Sequence, residues 1–211
     1  MRLSGGASLT DLEIIEAELK ARDRDRWLAC LYAPASARPG LLALFALDCE
    51  LAQLVASTTE PMLGEIRLAW WRERLAELDA GKAPAQPLLV ALRDHALPVL
   101  RGAELAGLED RWLALFGSDA VPPAHVEGGG LLFALAARLL GGDERRAQEM
   151  GQAWVLGEPL PQRAPPLLRP LAGLVALSAR DAARARAGSL REDRGSLARQ
   201  WRLLKAVALG R

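Results

Sequence analysis

Two acidic residues, Asp48 and Glu50, stand within the otherwise apolar stretch ALFALDCELAQLVA. Helical spacing turns Asp48 toward the apolar stripe of this stretch, and therefore inward. The stripe, which begins two residues before this stretch, consists of Leu41, Leu44, Phe45, Leu51 and Val55. A carboxylate inside a core is costly unless a cation or hydrogen-bond donor meets it. We therefore expect Asp48 to form a buried ion pair, with Arg67 or Arg72 as its partner.

Two functional interpretations of Asp48 stand beside this structural one. The carboxylate could line a polar cavity that still binds a small molecule. It could also act as a lone metal ligand, although a single carboxylate chelates magnesium poorly. We favour the ion pair and assign no metal ligand.

The run GEIRLAWWRERLAEL, which begins at Gly64, places two adjacent tryptophans in a charged helical stretch. Leu68, Trp71, Leu75 and Leu78 share one helical face, whereas Ile66 and Trp70 lie about 100° around it. The pattern predicts a helix packed over a wide arc, with its charges paired to neighbours. The charged residues are Glu65, Arg67, Arg72, Glu73, Arg74 and Glu77.

The same run supports a functional alternative, because Trp and Arg are the residues that most often anchor protein interfaces. Together with the acidic pair, it supplies the candidate cavity or partner-binding residues. These are Asp48, Glu50, Glu65, Arg67, Trp70, Trp71 and Arg72.

Other charged and nucleophilic residues are interpreted as structural. DRDR at 23–26 is expected to be a solvated helix start with local ion pairs, the alternative being a remnant of substrate or partner recognition. The arginine-rich stretch 180–202 is expected to be a solvated face, rather than a membrane or acidic-protein contact. His95 and His125 have no Ser, Cys or Asp arrangement typical of nucleophilic catalysis. We assign no catalytic residue.

Composition narrows the partners and cofactors. Twenty-seven Lys and Arg against 26 Asp and Glu leave a net charge of +1, which indicates no nucleic-acid partner. Cys30 and Cys49 are too few for a disulfide framework, and no Cys/His cluster is arranged for zinc. We assign no cofactor.

The secondary-structure elements that carry these residues are all predicted to be helices. Thr10 and Glu13 form a predicted capping box before the first helix. Period-two patterns and β-branched residues are scarce, so the fold class is all-α. Further helices are predicted at 24–33, 38–57, 61–80, 86–94, 103–116, 121–141, 144–156, 166–187 and 195–209.

One domain is predicted over residues 1–211. Its main helical body covers 11–156, a loop with five prolines covers 157–170, and C-terminal helices cover 171–211. The triple glycine at 128–130 could permit close helix packing or a kink.

The first residues resemble neither a signal peptide nor a transit peptide. Uninterrupted apolar runs such as Leu131 to Leu140 reach about half the length of a bilayer crossing. We therefore expect a cytoplasmic protein without a transmembrane segment.

Three stretches together resemble the squalene/phytoene synthase family. They are DRDRWLACLYAP at 23–34, ALFALDCELAQL at 43–54 and GEIRLAWWR at 64–72. More narrowly, the chain is similar to the degenerate branch containing a mitochondrial complex I assembly factor and its bacterial relatives. This resemblance implies a shortened isoprenoid-synthase-like helical bundle with a narrowed or filled central cavity.

Catalytic members of the family hold magnesium and a prenyl diphosphate between two D-x-x-x-D motifs. Carboxylates four residues apart share one helix face, which suits hard cations that grip the leaving group. The resemblance places the first motif at Ala52, Gln53 and Ala56, which lack carboxylates. The second would follow 151–156, yet no aspartate occurs between Asp143 and Asp181. The resemblance thus implies that both motifs are lost.

Three hypotheses follow. The first is a non-catalytic scaffold or assembly factor, related by analogy to respiratory complex I and peripheral at the inner face of the membrane, with a protein partner. The second is a divergent prenyltransferase that uses Asp48, Glu50 and Glu65, with magnesium as its cofactor. The third is a carrier that binds an isoprenoid or other lipid.

Overall fold

The computed structural model describes residues 9–82, 85–193 and 195–211. Every regular element within these ranges is helical, which confirms the all-α prediction. The α-helices are α1 Asp11–Arg22, α2 Arg24–Leu31, α3 Arg38–Ser57, α4 Pro61–Glu77, α5 Pro87–His95, α6 Gly102–Ala106, α7 Glu109–Leu113, α8 Pro123–Leu140, α9 Glu144–Leu156, α10 Arg169–Arg186 and α11 Leu197–Leu209. Two 3₁₀ turns cover Leu78–Ala80 and Pro166–Leu168.

Local sequence signals account for most helix ends. The predicted capping box is confirmed: the Glu13 amide donates to Thr10 Oγ1 at 3.3 Å, and the Thr10 amide donates to Glu13 Oε2 at 2.8 Å. Pro61 is the first residue of α4, where its missing N–H costs nothing. The single helix predicted over 103–116 is wrong, because the chain forms α6 and α7 there. The break falls at Gly107 and Leu108, and glycine is a weak helix former.

Helix α3 forms the centre of the core. Twelve of its 20 residues are buried, and it packs against α1, α5 and α8. Among the described residues it is the one helix long and apolar enough to cross a membrane, but 67% of that apolar window is buried inside the fold. Its burial at the centre of the bundle accounts for its composition.

The triple glycine brings helices α8 and α9 into close contact. A Cβ at Gly129 would lie 2.3 Å from Val155 Cγ2, and one at Gly151 would lie 2.2 Å from the Gly129 carbonyl oxygen. Neither distance is possible for a real side chain, so glycine is required here. The close packing predicted as one role of residues 128–130 is confirmed.

The C-terminal helices pack onto the main body. Helix α10 contacts α9, α2 and α11. Before it, residues 157–165 form an irregular segment that ends in the 3₁₀ turn, and α10 begins at Arg169, inside the predicted proline-rich loop. Gly173 on α10 lies where a Cβ would touch Leu203 and Val207, so α11 approaches α10 closely.

Candidate functional site

Asp48 lies fully buried on α3, where two arginines and a tryptophan surround its carboxylate. Arg111 Nη1 on α7 donates to Asp48 Oδ1 at 3.2 Å, and Trp112 Nε1 donates to the same oxygen at 2.9 Å. Arg26 Nη1 on α2 lies 3.0 Å from Asp48 Oδ2. The predicted buried ion pair is therefore present, but its predicted partners, Arg67 and Arg72, are wrong.

The partners differ because α4 directs those two arginines outward. Arg67 is exposed. Arg72 is half exposed and contacts Glu109 at 3.3 Å. The face of α4 that meets the core carries apolar side chains instead, so Asp48 draws its cations from α2 and α7.

Arg26 connects Asp48 to a neighbouring thiol. The side chain of Arg26 is 7% exposed, and its Nη1 also donates to Cys49 Sγ at 3.0 Å. Asp23 Oδ2 lies 3.5 Å from Arg26 Nε. Burial raises the pKa of the Cys49 thiol to about 11 in spite of Arg26, so this cysteine is a protonated core residue rather than a nucleophile.

Arg111 is held on its other side by His125. The Nδ1 of His125 lies 2.8 Å from the Arg111 carbonyl oxygen, so this nitrogen is assigned the proton, and Nε2 then accepts from Arg111 Nη2 at 3.3 Å. Gly128 makes room for Arg111, because a Cβ there would lie 2.3 Å from the Arg111 Cβ. The arginine is thus positioned by α7 and α8 together.

The electrostatics agree with this arrangement. Burial would raise the pKa of Asp48, but the charges of Arg111 and Arg26 and the N–H of Trp112 outweigh it and hold this pKa below its ordinary value. Burial lowers the pKa of His125, and the charge of Arg111 lowers it further. Near neutral pH Asp48 is therefore charged and His125 neutral.

Trp154 on α9 forms an aromatic wall beside the two buried guanidiniums. The Cζ atoms of Arg26 and Arg111 lie 5.0 and 5.4 Å from its ring centroid. Phe133 stacks on Trp154 with centroids 5.3 Å apart. These contacts offer both cations a favourable ring quadrupole in a place where water is largely excluded.

A second buried ion cluster surrounds Arg199 on α11, which is 2% exposed. Arg199 Nη2 lies 2.7 Å from Asp25 Oδ2 on α2, and Nη1 lies 2.6 Å from Asp181 Oδ1 on α10. The solvated face predicted for 180–202 is therefore wrong at Arg199. The solvated start predicted for DRDR is wrong at Asp25 and Arg26. Both segments turn charge inward, where α2, α10 and α11 meet.

The two ion clusters line one cleft of about 280 Å³. Its charged side chains nearly balance, since Arg26, Arg111, Arg191 and Arg199 face Asp23, Asp25 and Asp181, with Asp48 behind them. Typical small-molecule sites enclose roughly 300–1,000 Å³ and are mainly apolar. A small, polar, charge-balanced cleft does not match an apolar prenyl chain with an anionic head.

The other sequence candidates do not converge on this cleft. Glu50 pairs with Arg22 on α1, and Glu65 is exposed on α4. Trp71 is buried, whereas Trp70 is 43% exposed. The prediction that α4 is packed over a wide arc is therefore wrong: the Leu68 face is buried and the Ile66 face is not.

The family's magnesium finds no fitting donor set in the part of the chain that the structure describes. No three His, Cys, Asp or Glu side chains come together there as possible metal ligands. Gln53 and Ala56, at two of the expected motif positions, face solvent from α3. Asp48, the carboxylate nearest to that motif on the inner side, is already engaged by two guanidiniums.

Sequence reasoning missed Arg111, Trp112, Trp154 and Arg199. A partial signal existed, because a buried Asp48 demands a cation, and Arg111 stands in the mainly apolar stretch RWLALF. Asp25 and Arg26 likewise precede Ala29 and Cys30 at helical spacing, which indicated an inward face. Nothing local identified which cation meets which acid.

Comparisons with known proteins agree with the sequence motifs. Residues 19–98 match the family model described as squalene/phytoene synthase. The chain is 34% identical over 96 residues to bovine NADH dehydrogenase (ubiquinone) complex I, assembly factor 6, an alignment covering 44% of this chain and 28% of that protein. It is 31% identical over 108 residues to the human protein of the same name, covering 51% and 30%.

The alignments thus span less than a third of these relatives' length. No solved structure matches the chain. The resemblance to the squalene/phytoene synthase family, and to its assembly-factor branch, is confirmed for the matched region, and the all-helical architecture agrees with an isoprenoid-synthase-like bundle.

Proposed function

We propose, from the premise that residues 19–98 are squalene/phytoene-synthase-like, that this chain is a non-catalytic scaffold that takes part in respiratory complex I assembly through protein contacts. The observation that carries the proposal is the closed ion cluster around Asp48. Arg26, Arg111 and Trp112 already engage this carboxylate, and the two buried guanidiniums beside it would repel a divalent cation. Without a metal, a prenyl diphosphate has no electrophilic help to ionise.

The interior supports the same conclusion. Phe45, Leu68 and Trp71 are at most 6% exposed, so apolar side chains fill the space between α3 and α4. Ala52, Gln53 and Ala56 provide no alternative carboxylates where the family resemblance places its first metal motif. An isoprenoid chain would have to displace this core, which interiors packed at crystal-like density resist.

Helix α4 offers the surface through which a scaffold could act. Met62, Leu63, Ile66 and Trp70 are 73%, 51%, 60% and 43% exposed and follow one another along its outer side. Large apolar side chains grouped on a surface mark interaction sites, and a half-exposed tryptophan is a typical anchor. Arg67 provides a charged rim beside them.

The link to complex I comes from the names of the aligned relatives. The proposal that the chain is non-catalytic rests on the Asp48 ion cluster. The analogy with the relatives suggests only that the partner is complex I. We extend it to location: the chain acts in the cytoplasm and peripherally at the inner face of the membrane that holds complex I.

The test is co-purification of complex I subunits with the tagged chain from cells that express it. Ile66→Glu places a charge in the exposed face of α4 without touching the core, so we expect it to reduce the recovered subunits by about tenfold. Val121→Glu is the matched control, because Val121 is 55% exposed and lies outside α4. Quantitative mass spectrometry measures the recovery, and equal recovery from both variants would contradict the assignment of α4.

The enzymatic alternatives are tested on the purified chain by calorimetric titration with farnesyl and geranylgeranyl diphosphate, with and without magnesium. We expect no magnesium-dependent binding and no released diphosphate. Turnover would show a divergent prenyltransferase, and tight binding without turnover would show a carrier. Either result would overturn the scaffold proposal.

A further inference from the structure

A groove of about 890 Å³ runs between α10 and α11, on the side of these helices that faces away from the ion clusters. Its floor is a row of alanines on α10 with helical spacing, Ala172, Ala176, Ala179 and Ala183. Ala172 and Ala183 are eleven helical steps apart, which is roughly 16 Å or three turns. The small side chains leave a channel whose floor is recessed between the two helices.

The rim of the groove is strongly basic. The cations that line it are Arg180, Arg186, Arg202, Lys205 and Arg211, and no Asp or Glu lines it within the described ranges. Arg180 is paired with Glu192. Arg202 and Lys205 are exposed and make no ion pair with any described residue. Their positive charge is therefore available to a partner.

An aromatic anchor completes the surface. Trp201 on α11 is 68% exposed and lines the groove between its cationic neighbours. Exposing an indole to water is unfavourable, and tryptophan beside arginine is the composition found most often at binding hot spots. The groove therefore combines an apolar floor, an aromatic edge and uncompensated positive charge.

We propose that this groove binds an acidic amphipathic helix of a partner protein. The apolar face of such a helix would lie on the alanine row, with its Asp and Glu side chains against Arg202 and Lys205. A helix about 10 Å in diameter could lie along the groove on the alanine row, and its regularly spaced Asp and Glu side chains would complement the basic rim. The inference rests on the proposed function only in that both invoke protein partners, and it concerns a different surface from α4.

The test uses the purified chain and a fluorescein-labelled synthetic peptide of about 18 residues, long enough to form a helix. One peptide carries an apolar stripe flanked by Glu, and its counterpart carries Lys at the same positions. Fluorescence anisotropy is expected to show binding of the Glu peptide that weakens with salt, and about tenfold weaker binding of the Lys peptide.

Two variants address the charge and the floor separately. Arg202→Glu is expected to weaken binding of the Glu peptide by about tenfold. Arg145→Glu makes the same change at an exposed position on α9 and should leave that binding unaltered. Ala183→Trp fills the exposed end of the floor and should have a similar effect. Ala185→Trp is its control, since Ala185 is exposed on α10 but does not line the groove. Circular dichroism confirms that each variant is folded.

The outcomes separate this inference from the proposed function. Equal affinity for both peptides, no binding of the Glu peptide, or variants that match their controls would each overturn it, leaving the co-purification through α4 untouched. Arg202-dependent sedimentation with phosphatidylglycerol vesicles, in the absence of peptide binding, would show that the basic surface meets a membrane, and would also overturn it.

Discussion

The carboxylate of Asp48 lies 3.0 and 3.2 Å from two buried guanidiniums, and its removal would leave Arg111 without its acidic partner and Arg26 with Asp23 alone. Desolvation makes such a cluster a modest source of net stability. It nevertheless supports the proposed function, because this acid already has two cationic partners.

Asp48→Asn removes the negative charge while keeping the size of the side chain. Arg111 then loses its acidic partner and Arg26 keeps only Asp23, 3.5 Å from its Nε, and breaking a buried pair in this way costs about 3–5 kcal/mol. Urea unfolding at pH 7 measures this loss. Asp94→Asn, at a residue exposed on α5, is the control and should change little, and an equally small effect at Asp48 would contradict the ion-cluster description.

Wild type and Asp48→Asn should also differ in how their stability changes at acidic pH. The pKa of Asp48 is lower in the folded state than the unfolded value of about 3.9. Its stabilising contribution is therefore fully present above the unfolded pKa and lost as the pH falls through the folded pKa. The stability difference between wild type and Asp48→Asn should narrow as the pH is lowered below about 4.

At the scale of elements, α8 and α9 are the most closely packed helix pair among the described residues. Glycines at their contact allow this close approach. Gly151→Ala would place a Cβ 2.2 Å from the Gly129 carbonyl oxygen. Both groups belong to helix backbones, so the helices must separate, at a cost of about 1–3 kcal/mol. Because α9 also carries Trp154, the separation should disturb the wall beside Arg26 and Arg111.

Urea unfolding and tryptophan fluorescence together measure this change. Gly107→Ala is the control, since its Cβ would meet nothing closer than 3.4 Å and its backbone has the helical φ of −63°. That variant should be neutral or stabilised by up to about 1 kcal/mol. A neutral Gly151→Ala would mean that the helices are less tightly packed than described.

At the scale of the whole molecule, Arg199 joins the last helix to the second. Its contact with Asp25 links residues 174 positions apart, and its contact with Asp181 links α11 to α10. The groove between α10 and α11 depends on this attachment. The ion cluster around Arg199 therefore holds α11 against α10, and so positions the groove that we assign to a partner helix.

Arg199→Ala leaves Asp25 and Asp181 without their shared cation and should destabilise the chain by about 3 kcal/mol. The effect should be largest at the C-terminus, so the amides of α11 are expected to lose hydrogen-exchange protection before those of α3. Arg202→Ala, at an exposed position on the same helix, should leave that protection intact. Uniform loss of protection throughout the bundle would instead indicate one global unfolding unit.

Local sequence patterns, which extend over a few residues, predicted much of the secondary structure of this protein. Helical periodicity and caps predicted α1, α3, α4 and α9 within a few residues, since a helix is stabilised by groups three or four positions apart. The same periodicity predicted that Asp48 points inward. The motifs in 23–72 also indicated the family that the comparisons then matched.

Only the tertiary structure decided which charges meet. Arg111 lies 63 positions from Asp48, and no local pattern distinguishes it from Arg67 or Arg72, which α4 turns outward. It also decided that Arg199 is buried while Trp70 and Trp201 are exposed. These outcomes depend on how helices pack across loops of different length, and a buried charge is tolerated only where packing brings its counter-charge within reach. Helical periodicity indicates which residues share a helix face, because it depends on local spacing. Which other helix packs against that face depends on the tertiary structure.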